Sequence, residues 1–225
     1  MGFWRAKNEK FPALWRPKFS RPAGWMFCRV VWPSKIIGRK LVPSSGPVLI
    51  VANHTGLIDG PVLHGAIPRP NHILIKQEMF KGFLGWYLPF VGQIPVDRTT
   101  PRAALGAGLG VLKAGGTVAI FPEGARGRGD GADAKAGAAW LAVNGAAQIV
   151  PVAILGTRRS GESIGIIPRP GRRLTIEFGQ PFTVVPQEGE SRSKAVARAA
   201  TEIQEGLVSH VDQAVAKHRI ELPTD

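Results

Sequence analysis

Apolar and polar positions form alternating blocks along this chain of 225 residues. Short apolar runs rich in Val and Ile predict strands that are buried on both faces. Segments whose apolar residues recur every three or four positions predict helices between those strands. The predicted strands are VLIVAN (48–53), HILIK (72–76), QIPV (93–96), TVAIF (117–121), IVPVAIL (149–155) and RLTIEF (173–178). The predicted helices cover residues 60–67, 79–89, 101–114, 134–144 and 192–218.

This alternation predicts the α/β class, with a mostly parallel sheet flanked by helices. The turn-like segment SSGP precedes the first predicted strand and marks a boundary near residues 44–47. We therefore predict an N-terminal extension of residues 1–43 and a domain of residues 44–225. The long last helix carries Ile203, Leu207 and Val211 on one stripe, which predicts that it packs against the core.

The extension differs from the rest of the chain in charge and in aromatic content. Residues 1–40 contain ten Lys or Arg and one acidic residue, a net charge of +9 out of the chain's +13. Eight of the 17 aromatic residues lie within residues 1–32. Cations mixed with Trp and Phe suit a membrane interface, so we predict a basic, aromatic, membrane-associating helical segment. Single-stranded nucleic acid is the competing partner, and no nucleic-acid motif supports it. A solvated tail, or aromatic residues packed on the domain, is the simplest alternative.

No segment has the roughly 20 consecutive apolar residues that cross a bilayer. The best candidate, PAGWMFCRVVWPSKIIG, is interrupted by Arg29, Pro33 and Lys35, and no signal peptide is expected. We therefore predict a peripheral, monotopic protein on the cytoplasmic face of the membrane. The single cysteine, Cys28, excludes an internal disulfide and a cysteine metal cluster, which fits a reducing compartment.

The segment NHTGLID (53–59) places His54 and Asp59 in a polar break after a buried strand. On a regular helix, five positions would turn the two side chains about 140° apart. They can meet only if His54 ends the strand, a loop containing Gly56 turns back, and Asp59 begins a helix. The carboxylate would then orient the imidazole as a general base. Alternatively, Asp59 caps the helix and the pair is only structural.

A nucleophile on the protein is not apparent. The chain contains no G-x-S-x-G segment, and Cys28 lies in the basic extension. A general base without a protein nucleophile predicts that a hydroxyl group of the substrate attacks.

Three further segments follow predicted strands: GQIPVDR (92–98), FPEGAR (121–126) and VPVAI (150–154). Together with NHTGLID, and in this order, they resemble the four motifs of the glycerolipid acyltransferase family. The branch they resemble most is the 1-acylglycerol-3-phosphate acyltransferases. The linking stretch KQEMFKGFLGWYLPFVG (76–92) is similar to the family's connection between its first two motifs. The resemblance covers roughly residues 40–185, so the domain of residues 44–225 is interpreted as an acyltransferase domain.

The resemblance implies transfer of an acyl group from acyl-CoA or acyl-carrier protein to the free hydroxyl of lysophosphatidate, in phospholipid biosynthesis. It assigns His54 as the general base and Asp59 as its orienting partner. The substrate-binding residues that it implies are Lys76, Arg98, Glu123, Gly124 and Arg126. Pro151 matches the motif credited with shaping the acyl or thioester site. Neither a metal nor a cofactor is implied beyond the thioester co-substrate.

One position departs from the family pattern, because Ala125 replaces the Thr that is common in the third motif. The loss of a hydroxyl contact leaves the acceptor open: glycerol-3-phosphate and a lyso-ornithine lipid are alternatives. A non-catalytic membrane-binding relative is a further alternative. The charged residues also have structural interpretations, since Arg98 could pair with Asp97 and Glu123 could brace Arg98.

We expect Arg98→Ala to raise KM for a phosphorylated acceptor, because a guanidinium group binds phosphate through two parallel hydrogen bonds. Steady-state kinetics with acceptors that carry or lack a phosphate measure the effect, and the phosphate-free acceptor is the control. An unchanged KM for the phosphorylated acceptor would remove Arg98 from the phosphate site.

Overall fold

The computed structural model describes residues 11–97, 101–122 and 136–224. Its strands are β1 (Ser34–Ile37), β2 (Val48–Ala52), β3 (His72–Lys76), β4 (Ile94–Val96), β5 (Thr117–Ile120), β6 (Gln148–Leu155) and β7 (Leu174–Phe178). Its α-helices are α1 (Arg21–Met26), α2 (Asp59–Ala66), α3 (Gly82–Phe90), α4 (Arg102–Lys113), α5 (Ala136–Gly145) and α6 (Arg192–His218). Within these three ranges, no helix combines the length and the apolar character needed to cross a membrane.

The seven strands form one sheet in the order β1-β7-β6-β2-β5-β3-β4. The five strands from β2 to β6 run parallel to one another, and β7 pairs antiparallel with β6. β1 pairs parallel with β7, so these two strands oppose the other five. The predicted mostly parallel α/β sheet is thereby confirmed. The carboxyl ends of β2 to β6 meet at a single edge, which we call the carboxyl edge.

Helices cover both faces of the sheet. On one face, α4, α5 and the first part of α6 bury a cluster that includes Leu49, Leu112 and Leu141. On the other face, α2 and the segment 27–32 bury a cluster that includes Ile50, Leu63 and Phe178. Every residue of β2 is buried as a result. This burial on two sides explains why the strand is apolar throughout rather than alternating with polar residues.

Part of the predicted extension belongs to the sheet. β1 pairs with β7 from Ser34 to Ile37, so the predicted boundary at residues 43–44 does not coincide with an edge of the sheet. The pattern of apolar and polar residues did not predict β1, because its four residues pair with a strand about 140 positions later in the chain. In the described part of the chain, the predicted membrane-associating segment includes α1 and the π-helical turn Phe27–Val31. Membrane association of these segments stays a prediction.

α1 is held against α2 at very short range through two glycines. A Cβ atom added to Gly65 would lie 2.1 Å from the carbonyl oxygen of Gly24, so only glycine permits this approach. Hydrogen bonds reinforce the contact: Ser20 Oγ lies 2.7 Å from His64 Nε2, and His64 Nδ1 lies 2.9 Å from Asn71 Oδ1. Cys28 Sγ donates to the Val62 carbonyl at 3.1 Å, and burial raises the pKa of this thiol to about 11. The segment is therefore anchored to the domain by one face.

We expect Gly65→Ala to lower the free energy of unfolding by about 1–3 kcal/mol, because the added methyl group overlaps the backbone of α1. Gly106→Ala is the matched control, since a Cβ at this exposed helical position meets nothing within 4 Å. Removing a helical glycine there should stabilise the protein by about 0.5–1 kcal/mol. Urea unfolding of both variants measures the difference. Equal stability of the two variants would contradict the close packing of α1 on α2.

Candidate active site

The segment between β2 and α2 forms a tight loop at the carboxyl edge. The predicted strand 48–53 ends one residue earlier, at Ala52, because the Asn53 side chain takes over its pairing. Asn53 Nδ2 donates to the Ile154 carbonyl at 3.0 Å, and the Ile154 amide donates back to Asn53 Oδ1 at 2.7 Å. The side chain thus imitates a strand backbone and ties the start of the loop to β6.

His54 and Asp59 are in contact, as the loop geometry predicted from the sequence requires. His54 Nδ1 lies 2.8 Å from Asp59 Oδ2. The same carboxylate oxygen accepts the backbone amides of Thr55 at 2.7 Å and Gly56 at 2.8 Å. Asp59 is completely buried, whereas the His54 side chain retains 13% exposure. Three donors therefore fix the carboxylate, and the carboxylate fixes the ring.

The alternative in which Asp59 caps helix α2 does not agree with the structure. The N-cap residue of α2 is Ile58, and Asp59 is the first helical residue. Its side chain accepts hydrogen bonds from the loop amides of Thr55 and Gly56 and from His54 rather than capping α2. Asp59 thus serves the loop and the imidazole, with its charge at the favourable N-terminal end of the helix dipole.

The imidazole ring of His54 stacks on Phe121, with ring centroids 4.3 Å apart and planes inclined by 23°. Phe121 directly follows β5, the neighbour of β2. The stack and the carboxylate restrict the ring from two directions. In the neutral tautomer with hydrogen on Nδ1, that hydrogen is donated to Asp59 and Nε2 is the nitrogen that can accept a proton. The ring is therefore held in one orientation, with Nε2 as the atom through which it can act as a base.

A second segment, directly after β6, supports the loop from the other side. Arg158 Nε donates to the Thr55 carbonyl at 3.1 Å, and Arg158 Nη1 donates to the Glu162 carbonyl at 3.2 Å. The hydroxyl groups of Thr55 and Thr157 are 3.1 Å apart. Arg158 is only 2% exposed. A buried guanidinium thus braces the residue between His54 and Gly56.

Lys76 also lies at the carboxyl edge, as the last residue of β3. One strand, β5, separates β3 from β2, so Lys76 stands roughly 10 Å from the end of β2 at ordinary strand spacing. Pro151 is buried within β6 and is the register partner of Val51. It precedes by one residue the antiparallel ladder between β6 and β7, which begins at Val152.

The remaining sequence-predicted residues lie outside the described part of the chain. They are Arg98, Glu123, Gly124 and Arg126. The described residues just before them, Asp97 and Pro122, follow the carboxyl ends of β4 and β5. Among residues 11–97, 101–122 and 136–224, no group of three or more His, Cys, Asp or Glu is placed to hold a metal ion.

Sequence reasoning missed Asn53, Thr157 and Arg158 as parts of the site. Each lies within three residues of the end of a strand at the carboxyl edge, which is where open α/β sheets bind ligands. That rule could have pointed to the polar residues in GTRR (156–159). The burial of Arg158 depends on tertiary packing. The basic residues of GTRR are equally typical of a solvent-exposed loop.

Comparison with known proteins gives a consistent assignment. Residues 34–155, more than half of the chain, match the sequence model of the acyltransferase family. A 1-acyl-sn-glycerol-3-phosphate acyltransferase of Borreliella burgdorferi is 30% identical over 127 residues, which cover 54% of this chain and 51% of the relative. The enzyme of the same name from Streptococcus pneumoniae is 30% identical over 141 residues, covering 60% and 50%. The chain spans about half the length of the curated relatives it matches.

A solved structure shares the fold. The crystal structure of the 1-acyl-sn-glycerophosphate acyltransferase from Thermotoga maritima superimposes with a TM-score of 0.64, covering 86% of this chain and 80% of that chain. Sequence identity is 22%, so this likeness supports the architecture rather than the substrate.

We expect Arg158→Met to lower kcat by about tenfold or more while leaving KM nearly unchanged. The reason is that Arg158 holds the loop that positions His54, and a slight displacement of that loop lowers the rate more than the binding. Arg159→Met is the matched control, because its side chain is exposed. Steady-state kinetics and thermal unfolding are measured together, and Arg158→Lys should restore part of kcat. A loss of stability with unchanged kcat would show that Arg158 is only structural.

Proposed function

Because this chain belongs to the acyltransferase family, we propose that it is a 1-acyl-sn-glycerol-3-phosphate acyltransferase. It transfers an acyl group from acyl-CoA or acyl-carrier protein to the free hydroxyl of lysophosphatidate and forms phosphatidate. The 2.8 Å contact between His54 Nδ1 and the buried carboxylate of Asp59 carries the proposal. The names of the curated relatives support lysophosphatidate as the acceptor.

The proton transfer follows from the orientation of the ring. With its Nδ1–H group donated to Asp59, His54 accepts the hydroxyl proton of the acceptor at Nε2. The alkoxide oxygen then attacks the thioester carbonyl, so a carbon–oxygen bond forms. The carbon–sulfur bond breaks and the sulfur leaves as a thiolate. The proton on Nε2 goes to that thiolate, which restores neutral His54 and releases the thiol carrier.

Asp59 holds the imidazole ring of His54 in one orientation throughout this cycle. Its Oδ2 accepts three hydrogen bonds, so the carboxylate cannot rotate away from the imidazole without losing all three. A carboxylate in this place stabilises the imidazolium that forms when His54 takes the proton. The proposed reaction requires neither a metal nor a tightly bound cofactor, because the thioester supplies the activated acyl group.

Positive charge near the carboxyl edge fits a phosphorylated acceptor. Lys76 ends β3 at this edge, and Arg98 comes two residues after β4 ends. We assign Lys76, Arg98 and Arg126 to the phosphate, since cations offset the charge of a phosphate monoester. Glu123 and Gly124 belong to the same acceptor-binding motif in this proposal. Ala125 leaves glycerol-3-phosphate and a lyso-ornithine lipid as alternative acceptors.

The geometry favours an enzyme over a non-catalytic relative. A binding module has no need to bury a carboxylate completely and aim it at an imidazole, and burial of such a group is costly. His54 and Asp59 are both present, Phe121 stacks on the imidazole ring, and Arg158 supports the loop. These features favour a catalytic role.

We expect His54→Ala to lower kcat by about 10²- to 10⁴-fold, because general base catalysis contributes that much. Release of free thiol from acyl-CoA in the presence of lysophosphatidate measures turnover. His218→Gln is the control, since His218 contacts Glu177 on β7, which runs away from the carboxyl edge.

Both variants should unfold at temperatures close to that of the unchanged protein. Near-normal turnover by a folded His54→Ala protein would refute the proposed function. Parallel assays with glycerol-3-phosphate and with a phosphate-free lysolipid identify the acceptor.

A further inference from the structure

The loop that joins the last two strands of the sheet lies at the carboxyl edge. It covers residues 156–173, between the end of β6 and the start of β7, and we call it the β6–β7 loop. β7 returns antiparallel to β6, with Thr175 opposite Leu155, so both ends of this loop stand at the carboxyl edge. We call residues 53–58, between β2 and α2, the His54 loop. The two loops are therefore neighbours, because β6 pairs with β2.

An ion pair joins two distant parts of the β6–β7 loop. Arg172 Nη1 donates to Glu162 Oε2 at 2.7 Å, and Arg172 Nη2 donates to Glu162 Oε1 at 2.5 Å. The side chains are only 14% and 21% exposed, so the pair is partly shielded from water. The hydrogen bonds from Arg172 lower the pKa of the Glu162 carboxyl to about 2. The pair is therefore charged on both sides at neutral pH.

The backbone of Glu162 contacts the buried support of the His54 loop. Its carbonyl accepts a hydrogen bond from Arg158 Nη1 at 3.2 Å, and Arg158 Nε donates to the Thr55 carbonyl at 3.1 Å. The Thr55 amide in turn donates to Asp59 Oδ2 at 2.7 Å. A continuous series of hydrogen-bonded residues thus leads from Arg172 to the carboxylate that orients the imidazole.

The end of the β6–β7 loop that carries Arg172 is fixed to the fold. The Gly171 amide donates to the Val31 carbonyl at 2.7 Å. The Pro168 carbonyl accepts a hydrogen bond from Trp32 Nε1 at 3.0 Å. These contacts hold the guanidinium of Arg172 in place, so its carboxylate partner is held against an anchored part of the chain.

We propose that the ion pair between Glu162 and Arg172 holds His54 in its working position, a role that rests on the proposed function. The pair acts through Arg158 and the His54 loop, so its two members are positioning residues rather than catalytic residues. Ion pairs near the surface contribute little to stability on average, whereas a small displacement of a catalytic group lowers the rate steeply. Loss of the pair is therefore expected to affect the site more than the fold.

The test variant is Arg172→Met, which removes both contacts to Glu162 and keeps an unbranched side chain. The matched control is Arg198→Met, which breaks an ion pair of the same kind. Arg198 contacts Glu190 at 2.8 and 3.1 Å and Glu202 at 2.6 Å. It lies in the first turns of α6, after β7 has run away from the carboxyl edge. A general loss of stability would affect both variants alike.

Hydrogen exchange measures the position of the His54 loop without any turnover. The amides of Thr55 and Gly56 donate to Asp59 in the unchanged protein, so their exchange with deuterium reports opening of the loop. We expect Arg172→Met to raise the exchange rate of residues 53–58 at least about threefold and Arg198→Met to leave it unchanged. Equal exchange of this segment in the two variants would overturn the proposal.

Kinetics provide the second measurement. We expect Arg172→Met to lower kcat at least about threefold with KM within about twofold, and Arg172→Lys to restore part of kcat. The double variant, Arg158→Met with Arg172→Met, should be no slower than Arg158→Met alone, because two losses along one route do not add. Independent, multiplying losses in the double variant would contradict the route through Arg158.

A second substitution and the acceptor assay separate the remaining outcomes. Glu162→Gln removes the charge while keeping the side-chain volume, and it should reproduce the raised exchange if Arg172→Met fails to fold. Lower thermal stability of Glu162→Gln, with exchange of residues 53–58 and kcat both unchanged, would show that the pair is only structural. Raised exchange without any turnover of lysophosphatidate by the unchanged protein would refute the proposed function and still support the positioning of the loop.

Discussion

The candidate site depends on one buried carboxylate oxygen. Oδ2 of Asp59 accepts hydrogen bonds from the His54 ring and from two loop amides, at distances of 2.7 to 2.8 Å. Removing any one donor would leave a buried polar group less satisfied, so the three hydrogen bonds together stabilise this arrangement of the loop. The fold provides the support, because Asn53 and Arg158 tie the loop to β6 and to the segment after it.

The parallel sheet explains how distant sequence motifs can serve one site. The carboxyl ends of β2 to β6 lie at a single edge of the sheet. That edge therefore carries the segments NHTGLID and GTRR and the residues Lys76 and Phe121. Membership in the acyltransferase family agrees with this architecture, and the solved structure from Thermotoga maritima shares it. The chemistry proposed for the edge requires only an oriented base, a bound hydroxyl and an activated acyl donor.

The described part of the N-terminal segment packs on the domain, which composition could not reveal. One face of α1 is fastened to α2 through Gly24 and Gly65, and the exposed positions Trp25 and Met26 face away from the core. Basic and aromatic composition indicated a membrane partner but assigned it to a separate extension. Packing fixes the described part of this segment to the domain, with Phe19 against Phe90 and Arg16 donating to the Pro89 carbonyl of α3.

The sequence by itself determined the elements whose apolar residues recur in a regular pattern within a short stretch of chain. β3 and α6 have the predicted bounds, and the contact between His54 and Asp59 follows from a strand, a glycine turn and a helix start within seven residues. Only the tertiary structure decided the antiparallel placement of β7, the pairing of β1, the burial of Arg158 and the joining of Phe19 to Phe90. Each of these depends on a partner outside the short window in which periodicity is read, so periodicity carries no information about it.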